Sequence, residues 1–123
     1  MDTPDNPAPV STRAIAHYYD SNVGYFLKLG GSGDVAAIHR AIYAPGISSK
    51  AEAFNYLNVR VAEAIKPCLL QVTGNVLDLG CGVGGTATWL AQTLPVNVCG
   101  ITISARQQQL ASKRANQLGL ESR

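Results

Sequence analysis

A carboxylate inside a short apolar run, followed at once by alternating glycines, is the feature of this sequence best suited to chemistry. Residues 76–84 contain the pattern Asp78-x-Gly80-x-Gly82-x-Gly84. Glycine adopts positive φ readily and leaves no side chain between the backbone and a ligand. Where such a turn opens a helix, backbone N–H groups face that ligand. The pattern therefore predicts a site for a nucleotide-like cofactor, although the glycines alone do not specify which cofactor.

The elements that must position this turn alternate between strand and helix. Residues 76–79 have the composition of a strand buried on both faces, and residues 86–94 carry apolar side chains at helical spacing. Residues 96–101 predict a second strand. Ser104 and Gln107 then form a capping-box pattern, in which the Gln107 side chain reaches back to the Ser104 N–H. This β-α-β-α order predicts a parallel sheet with right-handed crossovers.

The chain divides into three expected segments. Residues 1–10 contain three prolines and predict a flexible tail. Residues 11–70 predict an N-terminal helical cap or lid, and residues 71–123 predict the first β-α-β-α part of a cofactor-binding domain. Two parallel strands leave sheet edges that nothing covers. We therefore expect this chain to be the N-terminal portion of a larger α/β domain, incomplete and inactive by itself.

Three helices are expected within the cap. The first begins at Ser11 or Thr12, which can accept hydrogen bonds from the first turn. The second spans residues 35–43, with Asp34 as its N-cap. The third begins at a capping box that starts with Ser49. Its inward stripe is expected to comprise Phe54, Leu57, Val61 and Ile65.

Composition excludes several classes of protein. A hydrophobic content of 46% argues against a disordered chain, and a net charge of +2 without a Lys/Arg run gives no case for nucleic-acid binding. No window approaches the roughly 18 apolar residues of a membrane span, and the first nine residues are not a secretory signal. The cytoplasm is therefore the expected location, and assembly into a homo-oligomer stays an open possibility.

Buried free thiols without metal-ligand spacing are expected at Cys68, Cys81 and Cys99.

A nicotinamide cofactor is the first rival interpretation. Gly80-x-Gly82-x-x-Gly85 satisfies the dinucleotide fingerprint, which also expects an Asp or Glu about 20 residues later to hold the ribose. No Asp or Glu occurs between Asp78 and Glu121. The Lys-Ser/Thr pair of a P-loop is missing as well. An NADP site would tolerate the missing acid but would want an arginine at the end of the second strand, where residues 102–104 contain none. The residues thus disfavour NAD(P) and ATP sites without nominating a replacement.

The carboxylate before the glycine turn favours a different cofactor. The pattern that starts at Asp78 resembles the first motif of the Rossmann-like (class I) S-adenosylmethionine-dependent methyltransferases. A carboxylate there suits a cation that carries an ammonium group and suits a pyrophosphate badly. Residues 100–107 resemble the following segment of the cyclopropane fatty acid synthase, sterol and tocopherol methyltransferase and terpenoid C-methyltransferase branch. The resemblance covers residues 18–123 and is strongest over 76–118.

This resemblance implies a set of site residues. In that branch, the threonine and glutamine that match Thr102 and Gln107 replace the acidic residue that binds ribose. The Tyr19-Asp20 pair is similar to a Tyr-Asp in the N-terminal cap, where an aromatic residue lies near the cofactor. Cys81 is expected to act through its backbone. The cofactor-binding candidates are Asp78, Gly80, Cys81, Gly82, Gly84, Thr102, Gln107 and Tyr19.

The function implied by the resemblance is transfer of a methyl group from S-adenosyl-L-methionine. The branch points to carbon of an isoprenoid, lipid or specialised-metabolite substrate, and so to a small-molecule or lipid-like partner. No residue of this sequence is nominated as a general base. Two alternatives stay open: a fragment of an NAD(P)-binding oxidoreductase, and an inactive remnant of a cofactor-binding domain.

Overall fold

The computed structural model describes residues 9–30, 36, 38–69 and 74–123. In chain order the elements are helix α1 (Thr12–Gly30), helix α2 (Lys50–Ile65) with a short 3-10 helix (Lys66–Leu69), strand β1 (Gly74–Leu79), helix α3 (Gly85–Thr93), strand β2 (Val96–Ile101) and helix α4 (Ala105–Gln117). The predicted β-α-β-α order is thus confirmed. Most of the predicted tail lies outside the described residues. Within them, no helix combines the length and the apolarity that a membrane span requires.

The two strands pair in parallel, with a register that runs from Gly74 opposite Val96 to Leu79 opposite Ile101. Both strands therefore end at the same edge, and the segments that follow them meet there. Burial alternates along β1, and Leu79 is 74% exposed. The prediction of a strand buried on both faces is wrong for the described residues, because the helices cover only one face of this sheet.

The core lies between α2, α3 and the covered face of the sheet. Ala62, Leu90, Leu94 and Val96 form its buried centre. Side chains packed against that centre include Ile65, Leu69, Val76, Trp89 and Val98. The core thus holds the first residues of β1 and β2 together and leaves the carboxyl ends of the two strands for other contacts.

The buried face of α2 differs from the predicted stripe. Phe54 is buried as expected, but Leu57 and Val61 are about two-fifths exposed, at 39% and 40%. The buried positions instead include Asn58 and Ala62, at four-residue spacing from Phe54. The predicted stripe contains only apolar side chains, whereas the helix turns the polar side chain of Asn58 inward. The capping box at its start is confirmed, since Ser49 and Glu52 bond reciprocally.

The predicted helix over residues 35–43 is wrong where the structure describes it. Asp34 and residue 35 lie outside the described residues, and residues 38–43 are not helical. Ala36 has a φ of 51°, a left-handed conformation that a helix does not contain. The Ile42 N–H donates to the Ala53 carbonyl of α2 at 2.9 Å rather than to a carbonyl one turn earlier. Contact with α2 therefore decides the path of this segment.

Helix α1 is long and sparsely buried. Ser11 accepts from the Ala14 N–H at 3.2 Å, as expected of an N-cap. Val23 is buried, while Tyr18 and Tyr19 are 54% and 38% exposed. Helix α1 packs against α4 rather than against the sheet. Its attachment therefore depends on contacts other than a large apolar face.

The cysteines are free, as predicted, but the prediction that they are buried is wrong for two of them. Cys68 and Cys99 are exposed, and Cys81 is half-buried. Cys99 belongs to β2, opposite Leu77 in the register. Its apolar neighbours in the sequence lie in a strand with only one covered face, which explains its exposure.

Positive φ values occur at three glycines of the turn, and only one of them is tightly enclosed. The φ values of Gly80, Gly82 and Gly84 are 80°, 55° and 79°. A Cβ at Gly84 would lie 3.0 Å from the Ala111 Cβ of α4, whereas a Cβ at Gly80 would meet open space. Gly84 therefore lets the start of α3 approach α4, and Gly80 leaves room above the turn.

Gly84→Ala should destabilise the protein more than Gly119→Ala. Both positions have positive φ, which costs a side chain roughly 1–2 kcal/mol. A Cβ at Gly119 meets nothing within 4 Å, so the variant at Gly84 carries an additional steric cost against Ala111. Urea unfolding of the two variants measures the difference. Equal losses would show that the approach of α3 to α4 does not require glycine.

Candidate functional site

The glycine turn is tied to the end of β2 by a shared acceptor. The N–H groups of Gly80 and Cys81 both donate to the Ile101 carbonyl, at 2.8 and 3.0 Å. The Gly84 N–H then donates to the Cys81 carbonyl at 2.9 Å and closes the turn. Cys81 therefore uses both of its backbone groups inside the protein. Its predicted backbone contact with a cofactor stays a prediction, with its N–H already engaged.

The Cys81 side chain packs beneath the turn. A Cβ at Gly100 would lie 2.8 Å from the Cys81 Sγ, so the glycine in β2 provides the space for this thiol. Burial raises the pKa of Cys81, and the charge of Asp78 raises it further. The thiol is consequently neutral at physiological pH and poorly suited to act as a nucleophile.

Asp78 presents a buried oxygen that has no hydrogen-bond partner. The residue as a whole is half-buried, but its Oδ2 atom is removed from solvent and is unpaired among the described residues. Desolvation raises the pKa of Asp78 above its ordinary value. A buried carboxylate without a partner is unfavourable, so such groups normally meet a cation or a donor. The structure thus marks Asp78 as the group in this turn that still needs a partner.

A cleft of about 220 Å³ brings Asp78 together with most of the predicted turn residues. Its wall also includes Asn58 of α2 and Thr86 of α3. The remaining lining residues are Ala36, Ile38, His39, Gly80, Cys81, Gly82, Val83 and Gly85. Whole-ligand pockets usually measure about 300–1,000 Å³. The cleft is therefore smaller than a pocket that encloses a whole ligand.

The start of α3 faces this cleft without a side-chain cap. Gly84 occupies the N-cap position and supplies no hydrogen bond from a side chain. By contrast, α2 and α4 are capped by Ser49 and Ser104. The first N–H groups of a helix have no intrahelical acceptor. Donors at the start of α3 and the acceptor of Asp78 consequently border one cleft.

Thr102 and Gln107, the pair predicted to bind ribose, are in direct contact. The Thr102 hydroxyl donates to Gln107 Oε1 at 2.7 Å. It also accepts from the Ser104 N–H at 3.3 Å. The capping box is therefore half right: Ser104 Oγ accepts from the Gln107 N–H at 3.0 Å, but the Gln107 side chain does not return to Ser104. Thr102 instead accepts from the Ser104 N–H. The amide N–H groups of Gln107 bond to no other described residue and can donate to a ligand.

Two polar residues outside the predicted set of site residues join the N-terminal helices to this edge. Asn58 Oδ1 accepts from the Thr86 hydroxyl at 2.8 Å, and its Nδ2 donates to Asn55 Oδ1 at 3.0 Å. Asp20 Oδ1 accepts from the Ser104 hydroxyl at 2.5 Å and from the Arg106 N–H at 3.0 Å. The family resemblance names Asp20 only as the neighbour of Tyr19. For Asn58, the signal in the sequence is a polar residue at a position that the helical spacing of α2 turns inward.

Tyr19 lines neither this cleft nor the larger one between α3 and α4. Its ring forms an edge contact with Tyr18, with centroids 5.5 Å apart. Tyr18 in turn lies 6.1 Å from the Phe26 ring. The predicted contact of Tyr19 with a cofactor therefore stays a prediction, supported only by its position beside Asp20.

The larger cleft, of about 330 Å³, lies between α3, α4 and the outer edge of β2. Gly84 and Thr102 border it, mainly together with small side chains such as Ala87 and Ala111. Along the same edge, the Val98 N–H donates to the Arg123 carbonyl at 2.7 Å. No unpaired buried side-chain atom belongs to this cleft among the described residues. Among the described residues, the unpaired buried acceptor therefore belongs to the smaller cleft, at Asp78.

A family model described as mycolic acid cyclopropane synthetase matches residues 51–123. The chain belongs to this family. The match includes the glycine turn and the Thr102–Gln107 segment. It confirms the resemblance to the S-adenosylmethionine-dependent methyltransferases of the cyclopropane synthase branch. The boundaries of the tail, cap and cofactor-binding segments stay predictions.

Individual relatives and solved structures agree with this assignment. Ajmaline N-methyltransferase of Rauvolfia serpentina is 32% identical over 118 residues, which is 89% of this chain but only 38% of that protein. The crystal structure of the [4+2]-cyclase SpnF superposes with a TM-score of 0.75 at 30% identity and covers 95% of this chain and 41% of that one.

Another solved structure extends the comparison. A geranyl diphosphate methyltransferase in complex with GPP and sinefungin gives a TM-score of 0.62 at 27% identity, covering 90% of this chain and 46% of that one. The chain thus spans less than half the length of these relatives. The predicted fold class, the N-terminal part of a Rossmann-like methyltransferase preceded by helices, is confirmed.

The unpaired carboxylate predicts a specific dependence of stability on pH. The native pKa of Asp78 is raised above 3.8, so the native state holds this proton more tightly than the unfolded state. Its contribution to the free energy of unfolding should therefore fall as the pH rises from 3.8 through the native pKa. Denaturant melts of the protein and of Asp78→Asn, without ligand, measure this contribution as their difference.

Hydrogen bonds to the carboxylates of Asp20 and Glu52 lower their pKa values, so these residues contribute to stability with the opposite dependence on pH. Because both proteins contain them, their contributions cancel in the difference between the two free energies of unfolding. Asp78→Asn should become relatively more stable towards neutral pH. If the two proteins keep parallel profiles between pH 4 and 7, desolvation of Asp78 is not significant.

Proposed function

We propose that this chain forms the S-adenosyl-L-methionine-binding part of a methyltransferase. The complete protein would transfer the methyl group to carbon of an isoprenoid, lipid or specialised-metabolite substrate. The observation that carries the proposal is the buried Oδ2 of Asp78 at the glycine turn, which has no partner in the part of the chain that the structure describes. Family membership supports it independently.

The smaller cleft suits the amino-acid end of this cofactor. That end carries an ammonium group and a carboxylate. Asp78 supplies an acceptor for the ammonium, and the uncapped start of α3 supplies donors for the carboxylate. A pyrophosphate would bring only negative charge towards Asp78. The electrostatics of the cleft therefore favour a zwitterion over a dinucleotide.

The ribose would meet the segment after β2. The Thr102 hydroxyl holds the Gln107 Oε1 atom, so the amide N–H groups are oriented and free to donate to a ribose oxygen. Gln107 is 5% exposed, which limits competition from water. Gly80, with open space above it, would allow the backbone to approach the cofactor. Gly84 would contribute indirectly, through the position of α3.

The cofactor supplies an electrophilic methyl group on a sulfonium centre. The residues of this chain bind and orient that group, and orientation is the main contribution a protein makes to such a displacement. The neutral Cys81 thiol offers no competing nucleophile at the turn. No described residue is assigned as a base.

The substrate atom that receives the methyl group is the most specific part of the proposal. The name of the matching family, a cyclopropane synthetase, supports carbon, and the geranyl diphosphate methyltransferase supports an isoprenoid substrate. The relatives also include an N-methyltransferase and a protein described as a [4+2]-cyclase. Cofactor binding and product formation therefore require separate measurements.

Calorimetry of the complete protein should show binding of S-adenosylmethionine and its demethylated product, and none of NADH. Asp78→Asn should weaken binding of S-adenosylmethionine by roughly 1.5–3 kcal/mol, the range for a hydrogen bond to a charged group. Glu63→Gln, which neutralises a half-exposed carboxylate of α2, is the matched control. Saturable binding of NADH without S-adenosylmethionine binding would overturn the proposal.

Gln107→Ala and Gln107→Glu separate a cofactor contact from a structural role. Alanine removes the acceptor of the Thr102 hydroxyl and the amide donors, so affinity should fall by about 0.5–1.5 kcal/mol. Glutamate keeps the acceptor, can accept from ribose hydroxyls and is favourable near a helix N-terminus. It should keep stability and most affinity.

Gln108→Ala is the control for these variants, because it changes the next, exposed residue of α4. Melting curves and binding isotherms are measured on each protein. If Gln107→Ala melts early yet binds normally, the residue has only a structural role.

A further inference from the structure

The Asp20 carboxylate of helix α1 bonds to the start of α4. Asp20 Oδ1 accepts from the Ser104 hydroxyl at 2.5 Å and from the Arg106 N–H at 3.0 Å. These contacts join residues more than 80 positions apart in the sequence. Ser104 is fully buried, at 0% exposure. The contact is therefore a defined connection between the N-terminal helix and the cofactor-binding unit.

Ser104 connects Asp20 to both residues of the Thr102–Gln107 pair. Its hydroxyl donates to Asp20 and accepts from the Gln107 N–H at 3.0 Å. Its own N–H donates to the Thr102 hydroxyl, which donates to Gln107 Oε1. A rotation of the Ser104 side chain would break the first two of these bonds together. Asp20 holds that side chain in the rotamer that maintains both.

The charge of Asp20 is suited to this place. A carboxylate is favourable at a helix N-terminus, and α4 is 13 residues long. The hydrogen bond from Ser104, followed by that from Arg106, lowers the pKa of Asp20, and His17 on the preceding turn of α1 adds a smaller effect. Asp20 is therefore ionised at neutral pH and accepts both bonds.

We infer that Asp20 is a positioning residue for the Thr102–Gln107 pair, and that it couples the docking of α1 to the binding of the cofactor ribose. The ribose part of this inference rests on the proposed function. The positioning part rests on the hydrogen bonds alone. Asp20 touches no part of the smaller cleft, so its effect on a ligand would pass through Ser104 and α4.

A double-mutant cycle in the complete protein tests the coupling. Asp20→Ala should weaken S-adenosylmethionine binding by roughly twofold to tenfold, because the mispositioned Gln107 amide would lose its one neutral hydrogen bond to the ribose. In the Gln107→Ala background the same change should have little further effect. Asp20→Asn keeps the acceptor oxygen and should restore most of the affinity. Additive losses from Asp20→Ala and Gln107→Ala would overturn the inference.

Asn22→Ala is the matched control, since Asn22 lies on the same helix and its side chain, among the described residues, bonds only to the Tyr18 carbonyl of its own helix. It should leave cofactor affinity unchanged. Equal losses of affinity from Asn22→Ala and Asp20→Ala would indicate a general effect of destabilising α1, and would contradict a positioning role.

Amide hydrogen exchange without ligand separates failure of this inference from failure of the proposed function. Asp20→Ala should accelerate exchange at the Arg106 and Gln107 amides several-fold, and Asn22→Ala should not. If the protein binds no S-adenosylmethionine, the proposed function and the ribose coupling both fail, while the exchange rates still decide whether Asp20 orders the start of α4. Unchanged exchange in Asp20→Ala would refute the positioning role.

Discussion

The Ile101 carbonyl is the acceptor on which the candidate site depends. It receives the N–H groups of Gly80 and Cys81 and so fixes the turn after β1 to the end of β2. Parallel pairing alone brings the two strand ends to one edge, but it does not set the conformation of the segments beyond them. Because Thr102 follows Ile101 directly, the same peptide region places the start of the second segment. One acceptor therefore fixes both halves of the site relative to each other.

The N-terminal helices are attached to that edge by polar contacts at two helix N-termini. Asn58 of α2 bonds to Thr86 in the first turn of α3, and Asp20 of α1 bonds to Ser104 at the start of α4. Among the described side chains of α1, Val23 is the buried apolar one, so the docking of this helix relies on such bonds as well as on apolar contact. Hydrogen bonds are directional, whereas apolar burial is not. The helices before the sheet thus orient the cofactor-binding unit as well as covering it.

Sequence reasoning succeeded where short-range rules decide the structure. The bounds of β2, the positive φ of the turn glycines and the serine caps follow from neighbouring residues, and each was predicted. It failed where distant contacts decide. Residues 38–43 follow α2 instead of forming a helix. The Gln107 side chain is a separate, local failure, because Thr102 accepts from the Ser104 N–H and donates to Gln107 Oε1. Asp20 could not be assigned from spacing, since its partner lies 84 residues away.

The position of one carboxylate separates the two classes of cofactor that share this glycine pattern. Dinucleotide sites place an acid at the end of the second strand, where it holds ribose hydroxyls, and leave the pyrophosphate facing backbone N–H groups. In this chain the acid, Asp78, lies in β1, and a neutral Thr102–Gln107 pair follows β2. Compared with a dinucleotide site, the negative charge of this chain thus lies in the cleft beside the start of α3 and not at the position that faces the ribose. A ligand with a cationic centre relieves the unpaired Oδ2 atom, while a pyrophosphate increases the repulsion there. The desolvation of Asp78, which is unfavourable while Oδ2 has no partner among the described residues, is also the property on which our proposal of a cationic ligand rests.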